Sequence, residues 1–159
     1  MSRFAKSPED IAPQEVLLSM PGLEFLRGMI DGRLPQPAMA GSLGFRLVEA
    51  SEGRAVFRGA AGFAFTNPMG SVHGGWYGSL LDSALGCAVM SVVPQGFWYT
   101  TLEYKVNLTR ALPLDTEVEC VGTVRHAGRS TAVAEADVRI PGDPRVFATG
   151  STTCLIMRG

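Results

Sequence analysis

The chain has 159 residues, of which 46% are hydrophobic and 18% charged, and its formal net charge is −1. That balance suits one globular domain with a real core; it excludes a disordered chain, and it excludes a polyanion binder, because phosphate recognition needs clustered Lys and Arg. Nucleic acid is therefore not an expected partner. Cys87, Cys120 and Cys154 form no CxxC pair and fall in apolar-patterned segments, as buried thiols of a reducing compartment do. The opening MSRFAKSPED carries no signal-type apolar run, so a cytoplasmic location is expected.

In chain order, PGLEFLRGMID at 21–31 sets Leu23, Leu26, Met29 and Ile30 on one helical face, with Gly32 as the C-cap, and predicts a short helix. LPQPAMAG reads as an extended loop. It leads into a hairpin, SLGFRLVEA then GRAVFRGAAG, turning at Ser51 to Gly53. After the turn formers Asn67, Pro68 and Gly70, the segment GGWYGSLLDSALGCAVMSVV has no proline and no polar stripe, which predicts a helix buried on all sides. Its length would nearly span a bilayer, but a central Asp costs about 2.5–3.5 kcal/mol there, and no membrane association is expected.

The second half reads as strands. In WYTTLEYKVNLTR, Thr100, Leu102, Tyr104, Val106 and Leu108 alternate with polar residues, so Thr100 is expected to face inward. TEVECVGTVRH, TAVAEADVRI and VFATGSTTCLIM follow, separated by turns and so antiparallel, with Ala132, Ala134, Ala136, Ala148 and Gly150 leaving room for a helix. The order is a hairpin, one long buried helix, then an antiparallel meander around it. This is the α+β plan of the hotdog fold, here a single domain over 1–159 with a short helix at about 21–31.

Asp82 is the one acidic side chain in the apolar segment. A buried Asp is often a hydrogen-bonded structural residue, yet a desolvated carboxylate is costly, and such groups cluster at functional sites. Both readings stand on sequence alone. His73, Gly74 and Gly75 come where the helix begins, so the first N–H groups lack intrahelical acceptors and suit an oxyanion. Gly74 and Asp82 are eight residues apart, about 12 Å along a helix, too far to share one carbonyl. A two-fold dimer with antiparallel helices would bring one chain's Gly74 to the other's Asp82, twice.

The pattern N-P-x-G-x-x-H-G-G at 67–75, followed by Asp82, resembles the PaaI-type hotdog thioesterases, which stand close to the Arthrobacter-type 4-hydroxybenzoyl-CoA thioesterases. The likeness extends to GSLGFRLVEASEGRAVF and RHAGRSTAVAEADV. It implies hydrolysis of an acyl-CoA, with coenzyme A part of the substrate and no separate cofactor. By that resemblance the Gly74 N–H polarises the carbonyl, His73 orders the loop or supports the thiolate, and Asn67 holds water or substrate. Asp82 of the partner acts as base or nucleophile, and Thr100 orients the water. Gly128, Arg129 and Ser130 would approach the CoA moiety, although a plain β-turn with an exposed Arg fits them as well, and Arg125 or Arg158 could equally meet the phosphates. The assembly implied is a homodimer, pairing into a homotetramer.

No metal is required by this chemistry, and the chain's two histidines, His73 and His126, form no HExxH motif. Trp76, Tyr77, Phe97, Trp98 and Met90 are candidates for an acyl pocket or for ordinary core. A hotdog dehydratase or hydratase, and a non-catalytic acyl-CoA binding domain, are the alternative functions.

Overall fold

The computed structural model describes residues 3–159. Its helices are α1 (Gln14–Leu18), α2 (Gly22–Asp31), α3 (Ala38–Ser42) and α4 (Gly74–Met90); its strands are β1 (Phe45–Ser51), β2 (Arg54–Gly59), β3 (Phe97–Leu108), β4 (Val118–Ala127), β5 (Thr131–Arg139) and β6 (Ala148–Arg158). The strands form one antiparallel six-stranded sheet in the order β1-β2-β4-β5-β6-β3, with α4 lying across it. This is the hotdog fold. The expected helix at 21–31 forms as α2 and ends at Gly32, whose φ of 85° is the left-handed cap that glycine supplies without strain. Among the described residues no helix is long and apolar enough to cross a membrane.

Small side chains set how closely α4 meets the sheet. Ala132, Ala134, Ala136 and Ala148 are buried beneath it. A Cβ on Gly122 would lie 2.2 Å from the Ala84 carbonyl oxygen, and one on Gly150 would lie 3.3 Å from both Leu81 and Leu85. The helix backbone therefore rests almost directly on β4, and Leu80, Leu81, Leu85 and Val89 are fully buried in the core.

The segment LPQPAMAG, expected as an extended loop, closes into α3 after Pro37, which sits at the N-cap with extended backbone (ψ 140°). Gln36 before it is buried. Its carboxamide donates to the Leu47 carbonyl (3.0 Å) and accepts from the Leu47 N–H (2.8 Å), imitating a neighbouring strand beside β1. Farther back, the Gly22 N–H donates to the Val93 carbonyl at 3.0 Å, and a Cβ on Gly22 would lie 2.0 Å from the Met90 carbonyl oxygen. The start of α2 is thereby clamped on the C-terminal end of α4.

Strand β3 departs from the expected alternation. Its pairing with β6 shifts between Thr101 and Glu103, which makes Leu102 the extra residue of a β-bulge. Beyond the bulge Tyr104, Val106 and Leu108 face α4 as the pattern predicts. Before it the phase is reversed: Thr101 pairs with buried Cys154 and faces the helix, while Thr100 pairs with Leu155 on the opposite face. The expectation that Thr100 points inward is corrected by this single inserted residue. β3 is also a sheet edge, with Leu102, Tyr104 and Leu108 exposed by 57%, 46% and 51%.

Candidate active site

The site grows from the residues that start α4. Asn67 opens a tight loop in which its carboxamide oxygen accepts from the backbone N–H groups of Met69 (2.9 Å) and Ser71 (3.1 Å), and Gly70 takes φ 77°. A bridge between Thr66 and Val72 closes the loop. In this arrangement the Asn67 oxygen shapes the turn, which leaves only its NH₂ group for a ligand.

His73 is the N-cap of α4. Its Nδ1 accepts from the Gly75 N–H at 2.9 Å, so a neutral imidazole carries its proton on Nε2, pointing away from the helix. The Trp76 N–H reaches the His73 carbonyl at 3.0 Å. Gly74 is the exception, since its N–H finds no acceptor among the described residues. The cap thus leaves one free amide at the positive end of the helix, on a residue with no side chain of its own.

Two turns along α4, Asp82 is half-buried. The Thr101 hydroxyl donates to its Oδ1 at 3.3 Å. Burial holds this carboxyl above the ordinary carboxylate range, against the smaller lowering effect of the Thr101 hydrogen bond. Asp82 and Ser83 stand on the wall of a cavity of about 230 Å³ with Gln36, Leu47, Phe57 and Tyr99. Cys87 lies on the same wall, but burial pushes its thiol up to about 12, so it stays protonated and is no nucleophile.

The half-buried or exposed positions of α4 are Gly74, Gly75, Ser79, Asp82, Ser83 and Cys87, which recur at helical spacing along one side. Ser79 donates to the Gly75 carbonyl (3.0 Å) and Ser83 to the Ser79 carbonyl (2.8 Å), so these hydroxyls need no outside partner. Beside this side runs the exposed apolar part of β3, with the Tyr104 hydroxyl 3.4 Å from where a Gly78 Cβ would stand.

Gly128, Arg129 and Ser130 form the exposed tip of the β4–β5 hairpin, braced by Gly128 N–H to the Thr131 carbonyl (2.8 Å) and Ile156 N–H to the Ser130 carbonyl (2.9 Å). Strand register puts this tip level with the start of β3, at the end of the sheet away from Gly74. Gly74, Asp82 and the tip therefore do not converge within one protomer. Of the proposed pocket aromatics, Trp76 and Tyr77 belong to the core. The Trp76 indole donates to the Leu43 carbonyl (2.8 Å), and the Tyr77 hydroxyl accepts from the Leu112 N–H (2.9 Å). Trp98 and Met90 do border a cavity, of about 210 Å³, against α1 and α2. Sequence reasoning missed Thr101, Gln36 and Met29, and only Gln36, a polar residue between prolines, carried any signal.

The model of the thioesterase superfamily matches residues 69–147, which include His73, Gly74, Asp82 and both threonines of β3. The chain belongs to the thioesterase superfamily. Within this superfamily's fold, a conserved protein of Pseudomonas aeruginosa is 35% identical, over 76% of this chain and 94% of its own, with a TM-score of 0.70. A phenylacetic acid degradation-related protein of Ralstonia eutropha is 26% identical, over 82% of this chain and 98% of its own, with a TM-score of 0.74. The PaaI protein of Escherichia coli shares the fold at 23% identity, a TM-score of 0.75, and coverage of 89% and 97%. Comparison with curated proteins gives no match.

Proposed function

We propose that the chain hydrolyses acyl-CoA thioesters at two sites that span a two-fold dimer, each made of Asp82 from one protomer and the Gly74 amide of the other. The observation that carries this reading is the pairing of two unfinished groups on one uncovered side of α4: a desolvated carboxylate and an amide without an acceptor, about 12 Å apart. An antiparallel partner helix closes that gap for both copies, and the self-satisfied Ser79 and Ser83 permit close approach. The exposed edge of β3 offers the accompanying strand pairing. By the same two-fold, the hairpin tip Gly128–Ser130 of one protomer comes to the end where the partner's α4 begins, which suits contact with the CoA portion. Pairing of dimers into a tetramer is compatible with this site and not needed for it.

In the reaction, Asp82 takes a proton from water, with Thr101 fixing the carboxylate, and the resulting hydroxide adds to the thioester carbon. The carbonyl oxygen becomes an oxyanion on the Gly74 N–H. The C–S bond then breaks, giving free acid and the CoA thiolate, which the outward Nε2–H of His73 is suited to receive. A direct attack by Asp82 would pass through a mixed anhydride instead, and labelled oxygen appearing in Asp82 after one turnover in heavy water-oxygen would reveal it.

The test uses two inactive chains. Gly74→Pro removes the amide proton at the first helical position, where proline is tolerated, at the cost of a small shift of the Leu108 side chain, and should lower kcat about 10²–10³-fold. Asp82→Asn should lower it at least ~100-fold. Refolding the two together in equal amounts makes half the dimers mixed, each with one intact site, so about a quarter of wild-type activity should return. No recovery on mixing would overturn the shared site. Hydration of an enoyl-CoA without thiol release would replace hydrolysis with a hydratase, and tight acyl-CoA binding without any turnover would leave a binding protein.

A further inference from the structure

Two cavities abut beside α4. The first, of about 230 Å³, begins at Asp82 and Ser83; the second, of about 210 Å³, ends at Leu17, Phe25, Leu26 and Trp98. Met29, Pro37, Cys87 and Tyr99 line both, so these four residues form the waist between them. On α4 the wall runs from Asp82 to Met90, eight residues and about 12 Å.

Polarity falls along this path. The carboxylate and hydroxyl stand at the Asp82 end, the Gln36 carboxamide is already spent on Leu47, and Tyr99 is the last hydroxyl. The far end is hydrocarbon and thioether except for the Trp98 indole, and it holds no charged group to pair with a second carboxylate on a substrate tail. The roof is anchored. The Gly22 N–H holds α2 to the Val93 carbonyl, and the Leu18 carbonyl holds α1 to the Gly96 N–H, each at 3.0 Å. Tyr99 lies against Gly86, where even a methyl group would stand 2.2 Å from its hydroxyl oxygen, so this side of the waist cannot retreat. Met29 is the adaptable side, since an unbranched thioether changes rotamer readily.

We infer that the two cavities form a single acyl channel that gauges an unbranched chain of medium length. The inference rests on the thioesterase reading of Asp82. A chain covers about 1.2 Å per bond when extended, so the 12 Å path holds about ten bonds, the length of an octanoyl or decanoyl tail. With Tyr99 held against Gly86, the waist disfavours branched chains, and the end without a charged partner disfavours dicarboxylic ones.

The experiment measures thiol release from straight-chain acyl-CoAs, acetyl to palmitoyl, by the full chain. Each added methylene should raise kcat/KM about fourfold until the channel is full near octanoyl to decanoyl, and longer chains should gain nothing. Leu17→Trp, filling the far end, should move the optimum at least two carbons shorter. Phe25→Ala should move it longer. A flat profile, an optimum at acetyl, or an optimum unmoved by both variants would overturn the channel. If no acyl-CoA is hydrolysed at all, the catalytic reading fails by itself, and calorimetry still decides the channel. Octanoyl-CoA must then bind at least tenfold tighter than acetyl-CoA, with the excess lost in Leu17→Trp.

Discussion

Replacing Thr101 with valine removes a hydroxyl while keeping the shape of the side chain. Its bond to Asp82 is 3.3 Å long, well beyond the 2.5–2.7 Å of a strong O–H···O⁻ pair, and the carboxylate is half-buried. The loss is therefore set near the lower end for a hydrogen bond, about 1 kcal/mol. Because the bond favours the charged carboxylate, losing it raises the Asp82 pKa further, and about 1 kcal/mol corresponds to about 0.7 of a pH unit. In a profile of kcat/KM against pH, the acid limb of Thr101→Val should move up by that amount, with the plateau at higher pH little changed. Carbon-detected NMR titration of the Asp82 carboxyl should give the same displacement. Thr100→Val, one residue away on the other face of β3, should leave both curves in place. If Thr100→Val moves the limb and Thr101→Val does not, the register assigned to this strand is wrong.

Asp82→Asn should stabilise the protein at neutral pH even as it loses activity. A carboxyl held above its unfolded value contributes stability only while protonated, and that contribution is lost as pH rises through the folded value. In thermal melts the variant should lead the wild type at pH 7, and the lead should shrink as the pH falls from the raised folded value to the usual carboxylate range, below which it changes no further. His73→Ala should cost about 1 kcal/mol through the lost cap, or about 2–4 °C in Tm for a chain of this size. His73→Asn should restore stability, since Asn caps well. If it also restores full turnover, the imidazole has no part in the chemistry.

Much of this fold could be read before any coordinates. The hairpin turning at Gly53, α2 with its Gly32 cap and the long α4 are local signals, and each formed where its pattern placed it, although α4, expected to be buried on all sides, leaves the side with Gly75, Ser79, Asp82 and Ser83 uncovered in the protomer. The free amide and lone acid of α4 were equally visible, because Gly74, Gly75 and Asp82 are unusual for where they stand. The phase of β3 was not legible. Trp98 with Thr100, and Tyr99 with Thr101, are interchangeable by hydropathy, so nothing in the residues marks the extra one at Leu102. The roof over the cavities was hidden for another reason. It is made by Gly22 on Val93, far apart in sequence, and by Gln36 on Leu47 across the intervening helix, contacts that no periodicity records.

Leu102 acts as a joint between two jobs done by one strand. Beyond it, β3 presents Tyr104, Val106 and Leu108 to the start of α4; before it, Thr101 serves Asp82 and Tyr99 walls the cavities. Excising that one amino acid would straighten the pleat, and one half or the other would have to roll over. Either Thr100 would take the place beside the carboxylate or the hydrophobic trio would turn its back on the helix. Lineages that lengthen or shorten this region are therefore expected to do so in compensating pairs, keeping the irregularity while letting the identity of the looped-out side chain drift.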